Sequence, residues 1–196
     1  MMHQVPDKTD IALIQVPNIT VSHNLSNADA VLSLMSQAPI NLSAGSITFG
    51  SQSTISGALG LSGGAIQGAK GPLTVGSLTW TAGTISIGQL TVTGTAGLSG
   101  TATKFLDTGT LNTPGGATLT GTGGFTFLNN STWNDSNGSL DNQSTVEGTG
   151  TFEGTFTNDG IVHPGQSPGR IKILGHYTSA AASQPGPLTL GSNGTL

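Results

Sequence analysis

Charged side chains and cysteine are what this sequence has least of. Cysteine is absent, which excludes disulfides, thiol catalysis and cysteine-ligated zinc. Only 7% of the residues are Asp, Glu, Lys or Arg, against about a quarter in an ordinary soluble domain. The net charge is −4, and the only two basic residues close together are Arg170 and Lys172. Because nucleic acids and anionic membranes are bound by clustered Lys and Arg, we expect neither as a partner.

Long hydrophobic runs are missing as well. Residues 11–14 are too short for the hydrophobic region of a signal peptide, and no Lys or Arg precedes position 8. No stretch approaches the length of a transmembrane helix, so we expect no membrane insertion. The sequence stops at Gly194-Thr195-Leu196 in the middle of its pattern. We therefore expect an internal piece of a longer polypeptide, truncated at the C-terminus, whose export signal is not in this segment.

Glycine and small polar residues take the place of the missing charges. The chain has 31 glycines, and Ser, Thr and Asn supply most of its remaining polar surface. These residue types are mediocre or poor helix formers, whereas they suit short strands joined by many turns. The composition therefore predicts an all-β fold.

From residue 41 onward, short apolar–polar–apolar triplets alternate with turns that contain glycine. Each triplet places two apolar side chains on one face of a strand and a small polar side chain on the other. Such short strands do not easily support a sandwich, but they can stack on their counterparts one turn earlier. The triplets are Ile47-Thr48-Phe49, Leu59-Gly60-Leu61, Leu73-Thr74-Val75, Leu78-Thr79-Trp80, Ile85-Ser86-Ile87, Leu90-Thr91-Val92, Phe125-Thr126-Phe127 and Ile171-Lys172-Ile173.

We therefore predict a right-handed parallel β-helix, or β-solenoid, with about 18–22 residues per turn. In this prediction residues 41–196 form the solenoid domain, with roughly seven or eight turns. Residues 1–40 form a strand-rich lead-in or the N-terminal edge of the solenoid, and residues 28–35 suit a strand better than a short helix capped by Asn27. Asn129-Asn130 suits a corner, because Asn tolerates a left-handed backbone.

Two longer segments follow the pattern of known repeat units. Residues 78–86 read LTWTAGTIS, and residues 156–169 read FTNDGIVHPGQSPG. They resemble the LTWxGGTISG and FxNxGxVxPGxSPG units of bacterial autotransporter-passenger-like and giant adhesin-like surface proteins. The second unit is the more specific, and the likeness spans about residues 45–195. Further similar steps are GQLTV at 88–92, KFLD at 104–107, TLN at 110–112, ATLTGTG at 117–123 and IKILGHYT at 171–178.

The resemblance implies a secreted or cell-surface bacterial protein in which the solenoid is a structural or adhesive rod. The family has no catalytic residues to transfer, so we expect no enzyme, no cofactor and no catalytic, cofactor-binding or metal-ligating residue. The expected partners are glycans or neighbouring surface proteins, to which the rod would display its Thr, Ser and Asn faces. Open strand edges at the ends of the rod also predict self-association.

A polysaccharide-active enzyme, either a lyase or a glycosidase, is the alternative function. Such an enzyme needs two or three carboxylates, or a carboxylate and a base, on one face of neighbouring turns. Five acids recur here at a constant interval of six positions, a regularity that favours the alternative. Each lies beside Asn, Gly or Thr, however, so we interpret them as solvated corner residues. The five are Asp135, Asp141, Glu147, Glu153 and Asp159.

A calcium- or ice-binding solenoid is a lesser alternative. Asp135, Asp141 and Asp159 could supply oxygen ligands for calcium, but tandem GGxGxD repeats are missing. Thr-x-Thr triplets at residues 91–93 and 118–120 have the arrangement of an ice-binding face, but they are sporadic.

Two other pairs of residues are candidates for ligand binding. His163 and His176 lack a third zinc ligand, and we expect His163 at the surface. Trp80 and Trp133 could stack on sugars, but packing in the core or at its rim is the preferred interpretation.

Overall fold

The computed structural model describes residues 6–16, 18–68, 71–164 and 169–179 of the chain. Within these ranges the protein is all-β and has no helix. Its strands are parallel and stack as a β-solenoid of about 9 turns. The predicted fold class, an all-β parallel solenoid, is therefore confirmed. Residues 165–168, in the middle of the FxNxGxVxPGxSPG-like unit, and residues 180–196, with the C-terminal end of the pattern, lie outside the described ranges.

The described ranges contain seventeen strands, of very unequal length. They are β1 (Ile11–Ile14), β2 (Val21–His23), β3 (Ala28–Val31), β4 (Ser33–Ser36), β5 (Ile40–Leu42), β6 (Ser46–Phe49), β7 (Ser53–Gly68), β8 (Leu73–Ile87), β9 (Gln89–Val92), β10 (Ala96–Leu98), β11 (Lys104–Asp107), β12 (Thr110–Asn112), β13 (Ala117–Leu119), β14 (Phe125–Asn142), β15 (Thr145–Asn158), β16 (Ile161–His163) and β17 (Ile171–Ser179).

Three strand segments make up each turn, and every segment pairs in parallel with the segment one turn further along. Ile40 pairs with Leu59 and Leu59 pairs with Leu78, so these two successive turns are of equal length. The stacked segments form three faces. Face A includes β1, β4, β9 and β12, face B includes β2, β5, β10 and β13, and face C includes β3, β6, β11 and β16.

Four strands are much longer than the sequence pattern predicts. β7, β8, β14 and β15 each run through all three faces, so the predicted triplets at 59–61, 78–80 and 125–127 are parts of longer strands. The backbone ladder continues around the corners with local shifts of register, as between Phe127 and Ser131 and between Asp135 and Ser139. Each such shift is a bulge that bends the strand without ending its pairing.

Stacking begins at Ile11, within the segment predicted as a lead-in or solenoid edge. β1 pairs with β4, and residues 28–31 form β3, so the strand interpretation of that stretch is confirmed. The turns before residue 41 explain why the coil has about 9 turns rather than the expected seven or eight. Turn length varies more widely than predicted. The turn from Asn142 to its partner Asn158 is shorter than the predicted range, and the turn from Ala117 to its partner Leu140 is longer.

The inward side chains stack from turn to turn into one continuous core. On face B, Leu42, Leu61, Trp80, Leu98 and Leu119 are successive partners, and all five are fully buried. Burying a large apolar side chain stabilises a fold by about 1.5–3 kcal/mol, so each turn adds a similar increment to the stack.

Later turns replace aliphatic side chains by aromatic ones. Phe125 and Trp133 have their ring centroids 4.9 Å apart, Trp133 and Phe152 6.1 Å, and Phe152 and Phe156 5.1 Å. Tyr177 stacks on Phe156 at 5.7 Å and closes the series. The C-terminal half of the rod therefore has a core of contacting rings.

Corners depend on residues that accept a left-handed backbone. Asn129 and Asn130 have φ angles of 50° and 56°, which confirms the corner predicted there. Gly109 has a φ of 71°, and a β-carbon at this position would collide with the carbonyl oxygen of Ile87 in the turn before. Only glycine fits that corner, because the turns approach each other along their backbones.

Candidate functional surface

A row of outward polar side chains runs along face A from turn to turn. Its members alternate with buried residues of the same strands, which holds them on the outer side, and all are half-buried by their neighbours in the row. This polar row consists of Thr54, Thr74, Thr91, Asn112, Asn134 and Glu153, each the register partner of the next. It carries hydroxyl and amide groups at the regular spacing of stacked strands, with one carboxylate at the C-terminal side.

An open groove follows the middle of the polar row. It has a volume of about 260 Å³ and is lined by Gln89, Thr91, Asn112, Asn134, Asn137 and other uncharged residues. Asn112 Nδ2 donates to Thr91 Oγ1 at 3.3 Å, and Gln89 Nε2 donates to the same oxygen at 3.4 Å. Neutral donors and acceptors of this kind suit hydroxyl-rich, uncharged ligands, and they offer little attraction to ions.

A buried carboxyl group lies next to this groove on the inner side of face A. Asp135 is fully buried, and neither of its oxygens has a hydrogen bond of normal geometry within the protein. Burial raises the pKa of Asp135 to about 6, and the nearby Thr113 hydroxyl opposes that shift. The Thr113 hydroxyl oxygen accepts a hydrogen bond from the Trp133 indole N–H at 2.8 Å.

The coil separates the five regularly spaced acids. Asp135 points inward from face A, Asp141 lies on face B between Thr118 and Thr157, and Glu147 lies on face C beside His163. Glu153 belongs to the polar row of face A, and Asp159 is exposed just after face B. The interval between these acids is close to a third of a turn, so successive acids reach successive faces. Asp135 differs from the solvated corner residue that the sequence suggested, because its neighbours exclude water from it.

The residues considered for metal binding are likewise apart. Within the described ranges no three His, Cys, Asp or Glu side chains come together. His163 pairs with Glu147 on face C, whereas His176 pairs with Thr155 in the strand that leads into face B. Their separation along the chain therefore places the two histidines on different faces.

Both tryptophans lie inside the coil. Trp80 and Trp133 have no exposed surface, so the interpretation of these side chains as core residues is confirmed, and neither can stack on a sugar from outside. The two Thr-x-Thr triplets lie apart: Thr91 is on face A and Thr118 is on face B. They do not form one flat surface.

Two contacts of ionisable side chains were not predicted from the sequence. Lys104 is fully buried, and its Nζ donates to the carbonyl oxygens of Ser99 at 2.8 Å and Ala102 at 2.9 Å. Burial lowers the pKa of Lys104. The sequence pattern does not predict this contact, because Lys104 occupies an inward position of its strand. Its side chain bends back to the carbonyl groups of the corner just before it.

The second contact lies in the first described turn of the coil. His23 Nε2 lies 2.8 Å from Asp29 Oδ2, and His23 Nδ1 lies 2.9 Å from the carbonyl oxygen of Ala44. In the next turn Leu42 occupies the place of His23. A polar pair therefore stands at the first turn where later turns have apolar side chains.

Fold and surface together define a parallel β-solenoid with a polar face on which Glu153 is the one charged member of the polar row. No protein-family model matches the chain, and no curated protein and no solved structure is significantly similar to it. Among the described residues no helix is sufficiently long and apolar to cross a bilayer.

Proposed function

We propose that this chain is a stiff rod segment of a secreted or cell-surface bacterial protein, and that face A binds neutral glycans. The observation that carries the proposal is the polar row: six outward side chains in register, five of them uncharged, above a continuous hydrophobic core. A repetitive array of hydroxyl and amide groups matches a repetitive polymer of hydroxyl groups.

Stiffness follows from how the turns are joined. Each turn is held to the next by parallel backbone ladders on three faces and by the stacked side chains inside. Bending the rod would open ladders on one side and separate packed side chains, both at a cost in free energy. Nine turns at a strand spacing of about 4.8 Å give a rod of about 40 Å.

Binding would use many weak contacts. A single exchange of water for a ligand hydroxyl at a neutral hydrogen bond contributes about 0.5–1.5 kcal/mol, so one Asn or Thr gives little affinity alone. Several turns acting on one polymer chain add their contributions through effective concentration. Because the row is nearly uncharged, the affinity should change little with salt concentration.

The test is retention of the 196-residue chain on immobilised neutral polysaccharides. We expect the double variant Asn112→Ala with Asn134→Ala to lose at least about tenfold in affinity, which corresponds to about 1.4 kcal/mol. The control is Gln67→Ala, which removes an exposed amide from face C. Equal retention of the double variant and the parent chain would contradict a binding role for face A.

Location requires a separate experiment on whole cells. If the protein is displayed outside, a protease added to intact cells should cleave the full-length gene product. Cleavage that occurs only after lysis would contradict the proposed surface location. It would not affect the conclusion on glycan binding, which is tested separately.

One observation favours the alternative of a polysaccharide-active enzyme. The Asp135 carboxyl has a pKa of about 6, in the range of a general acid. Its complete burial and the placement of Asp141 and Glu147 on other faces count against this role. Glu153 lies on face A in the next turn, but it points outward whereas Asp135 points inward. Release of reducing ends or unsaturated products from a polysaccharide by the parent chain, abolished in Asp135→Asn, would establish the enzyme instead of the rod.

A further inference from the structure

The corner at residues 136–138 lies inside β14 but takes no part in the strand ladders. Asp135 and Ser139 pair with consecutive residues of the next turn, so the three residues between them are left over. In the turn before, pairing stops at Asn134 and resumes at Leu140. Within the described ranges, residues 136–138 therefore have no register partner on either side, and the neighbouring ladders do not hold their backbone.

An asparagine followed by glycine occupies this corner. Asn137 is exposed and lines the groove of face A, and Gly138 follows it. An asparagine side chain can react with the backbone nitrogen of the next residue, because the chain itself holds the two groups close together. Glycine in the second position leaves that nitrogen unshielded, because it has no β-carbon. Of the three asparagines that line the groove, only Asn137 is followed by glycine.

A buried carboxyl group lies beneath the same corner. A β-carbon at Gly138 would collide with Asp135 Oδ1, so this oxygen lies against Gly138 from the inner side. Asp135 is fully buried, and in the described part of the chain neither of its oxygens has a hydrogen bond of normal geometry. A carboxylate in this position can accept a proton without breaking an existing hydrogen bond.

We propose that Asn137-Gly138 is a site of spontaneous deamidation, and that the Asp135 carboxylate accepts the proton released in its first step. The Gly138 nitrogen forms a bond to Asn137 Cγ as its proton passes to Asp135. The bond between Cγ and the amide nitrogen then breaks, and ammonia leaves with that proton. Water opens the resulting succinimide ring at either carbonyl group and yields aspartate or isoaspartate.

The product changes the groove of face A. A carboxylate takes the place of a neutral amide beside Asn112 and Asn134. Isoaspartate also adds a carbon atom to the main chain, and the corner can accommodate it because no ladder passes through residues 136–138. The modified groove would attract cations, which the neutral amides do not.

The proton acceptor gives the reaction a dependence on pH. Burial raises the pKa of Asp135 to about 6, so the carboxylate that accepts the proton predominates above that pH. In the turn before, residues 110–119 carry no ionisable side chain, and in the turn after, residues 150–157 carry only Glu153, which points outward. The other acid of β14 is Asp141, on face B. Neither acid lies on the inner side of the corner, so we assign the dependence to Asp135.

The experiment follows the amide in the folded chain over a series of pH values. The parent, Asp135→Asn and Asn137→Gln are incubated and digested with trypsin, and mass spectrometry measures deamidation within the peptide between Lys104 and Arg170. Asn112 lies in the same groove and in the same peptide, but it is paired on both sides and is the internal control. Asn137→Gln keeps an amide that would have to close a larger ring. Circular dichroism verifies that each variant is folded.

Asn137 of the parent should deamidate at least about tenfold faster than Asn112, and Asn137→Gln should remain unmodified at that position. Asp135→Asn should slow the reaction at Asn137 by at least about tenfold at about pH 7. The difference should disappear below about pH 4, where Asp135 of the parent is protonated. In urea the parent and Asp135→Asn should react at the same rate, because unfolding removes the carboxyl group from Gly138.

Three results would overturn the proposal. Equal deamidation of Asn137 and Asn112, including none at either, would show that the corner holds Asn137 away from the Gly138 nitrogen. Equal rates for the folded parent and Asp135→Asn at every pH would show that Asp135 does not accept the proton. A slower reaction in Asp135→Asn by the same factor at every pH would indicate that Asp135 only shapes the corner.

Discussion

Asn142 Nδ2 donates a hydrogen bond to Asn158 Oδ1 over 2.7 Å, from one turn of the coil to the next, inside the core. Asn158 Nδ2 donates in turn to the Tyr177 hydroxyl at 3.0 Å, and the Ser144 backbone N–H donates to Asn142 Oδ1. The two amides thus continue the inward column of face B, in which Leu119 is the last apolar residue before Asn142. They are stable there because the amide nitrogen and the amide oxygen of each have a hydrogen-bond partner.

Removing the first amide should therefore be costly. Asn142→Ala leaves Asn158 Oδ1 and the Ser144 N–H without partners in a buried place, and we expect a loss of about 2–4 kcal/mol in the free energy of unfolding. Urea denaturation measures the change. Asn41→Ala, on the exposed side of the same face, should alter stability by less than about 0.5 kcal/mol. Equal effects of the two variants would mean that the buried amides do not hold the turns together.

The buried carboxyl group should make stability depend on pH. The pKa of Asp135 is raised from 3.8 to about 6 by burial, so ionisation is harder in the folded chain than in the unfolded one. The contribution of protonated Asp135 to the free energy of unfolding is therefore complete below pH 3.8 and is lost as the pH rises to about 6. Above that pH the effect of Asp135 on stability no longer changes. We expect Asp135→Asn to gain up to about 2–3 kcal/mol relative to the parent between about pH 4 and pH 7.

The measurement is denaturation of parent and variant at a series of pH values. Asp159→Asn, at an exposed corner, is the control and should follow the parent throughout. If the difference between the parent and Asp135→Asn is the same at every pH, the carboxyl group is not desolvated in the folded chain.

The buried lysine should be a structural residue. Lys104→Ala removes the donor to the Ser99 and Ala102 carbonyl oxygens and leaves a cavity beside the core, so we expect a loss of about 2–4 kcal/mol. Lys8→Ala, which removes an exposed lysine near β1, should change stability by less than about 0.5 kcal/mol. Thermal unfolding of both variants decides the matter, and a Lys104→Ala chain as stable as Lys8→Ala would disprove the assignment.

Two glycines should respond in opposite ways to the same substitution. Gly109→Ala places a β-carbon against the Ile87 carbonyl oxygen at a φ of 71°, and should cost at least about 2 kcal/mol. Gly97 has nothing within 4 Å of its would-be β-carbon, so Gly97→Ala should be neutral or stabilise by about 0.4–1 kcal/mol. Similar unfolding midpoints for the two variants would contradict the close approach of turns at Gly109.

Local pattern was sufficient to predict where several of the strands lie. Leu73-Thr74-Val75 and Leu90-Thr91-Val92 were predicted as strands from their alternation, and they are register partners in the coil. Alternation carries this information because successive side chains of a strand point to opposite sides, whatever the strand pairs with. Glycine and asparagine corners were predicted for the same local reason.

The candidate surface was predictable only in composition. The sequence indicates that Thr91 and Asn112 each lie on the outer side of a strand or in a turn. Their separation along the chain does not predict that they are register partners. The neighbouring turns differ in length, so the partner of a given residue cannot be counted off from the sequence. Asp135 was misjudged for a related reason: a polar residue in a corner-rich stretch resembles a solvated one until the turns above and below cover it.

By itself, the sequence determined that this chain is all-β, that its strands alternate apolar and polar residues, and that it winds into a parallel solenoid. These properties follow from local preferences that each short segment holds independently. Tertiary structure decided which side chains share a row, which acid is buried, and which amides meet in the core. These three features depend on which residues become partners in successive turns. Because the turns differ in length, each corner changes the pairing of all the residues that follow it.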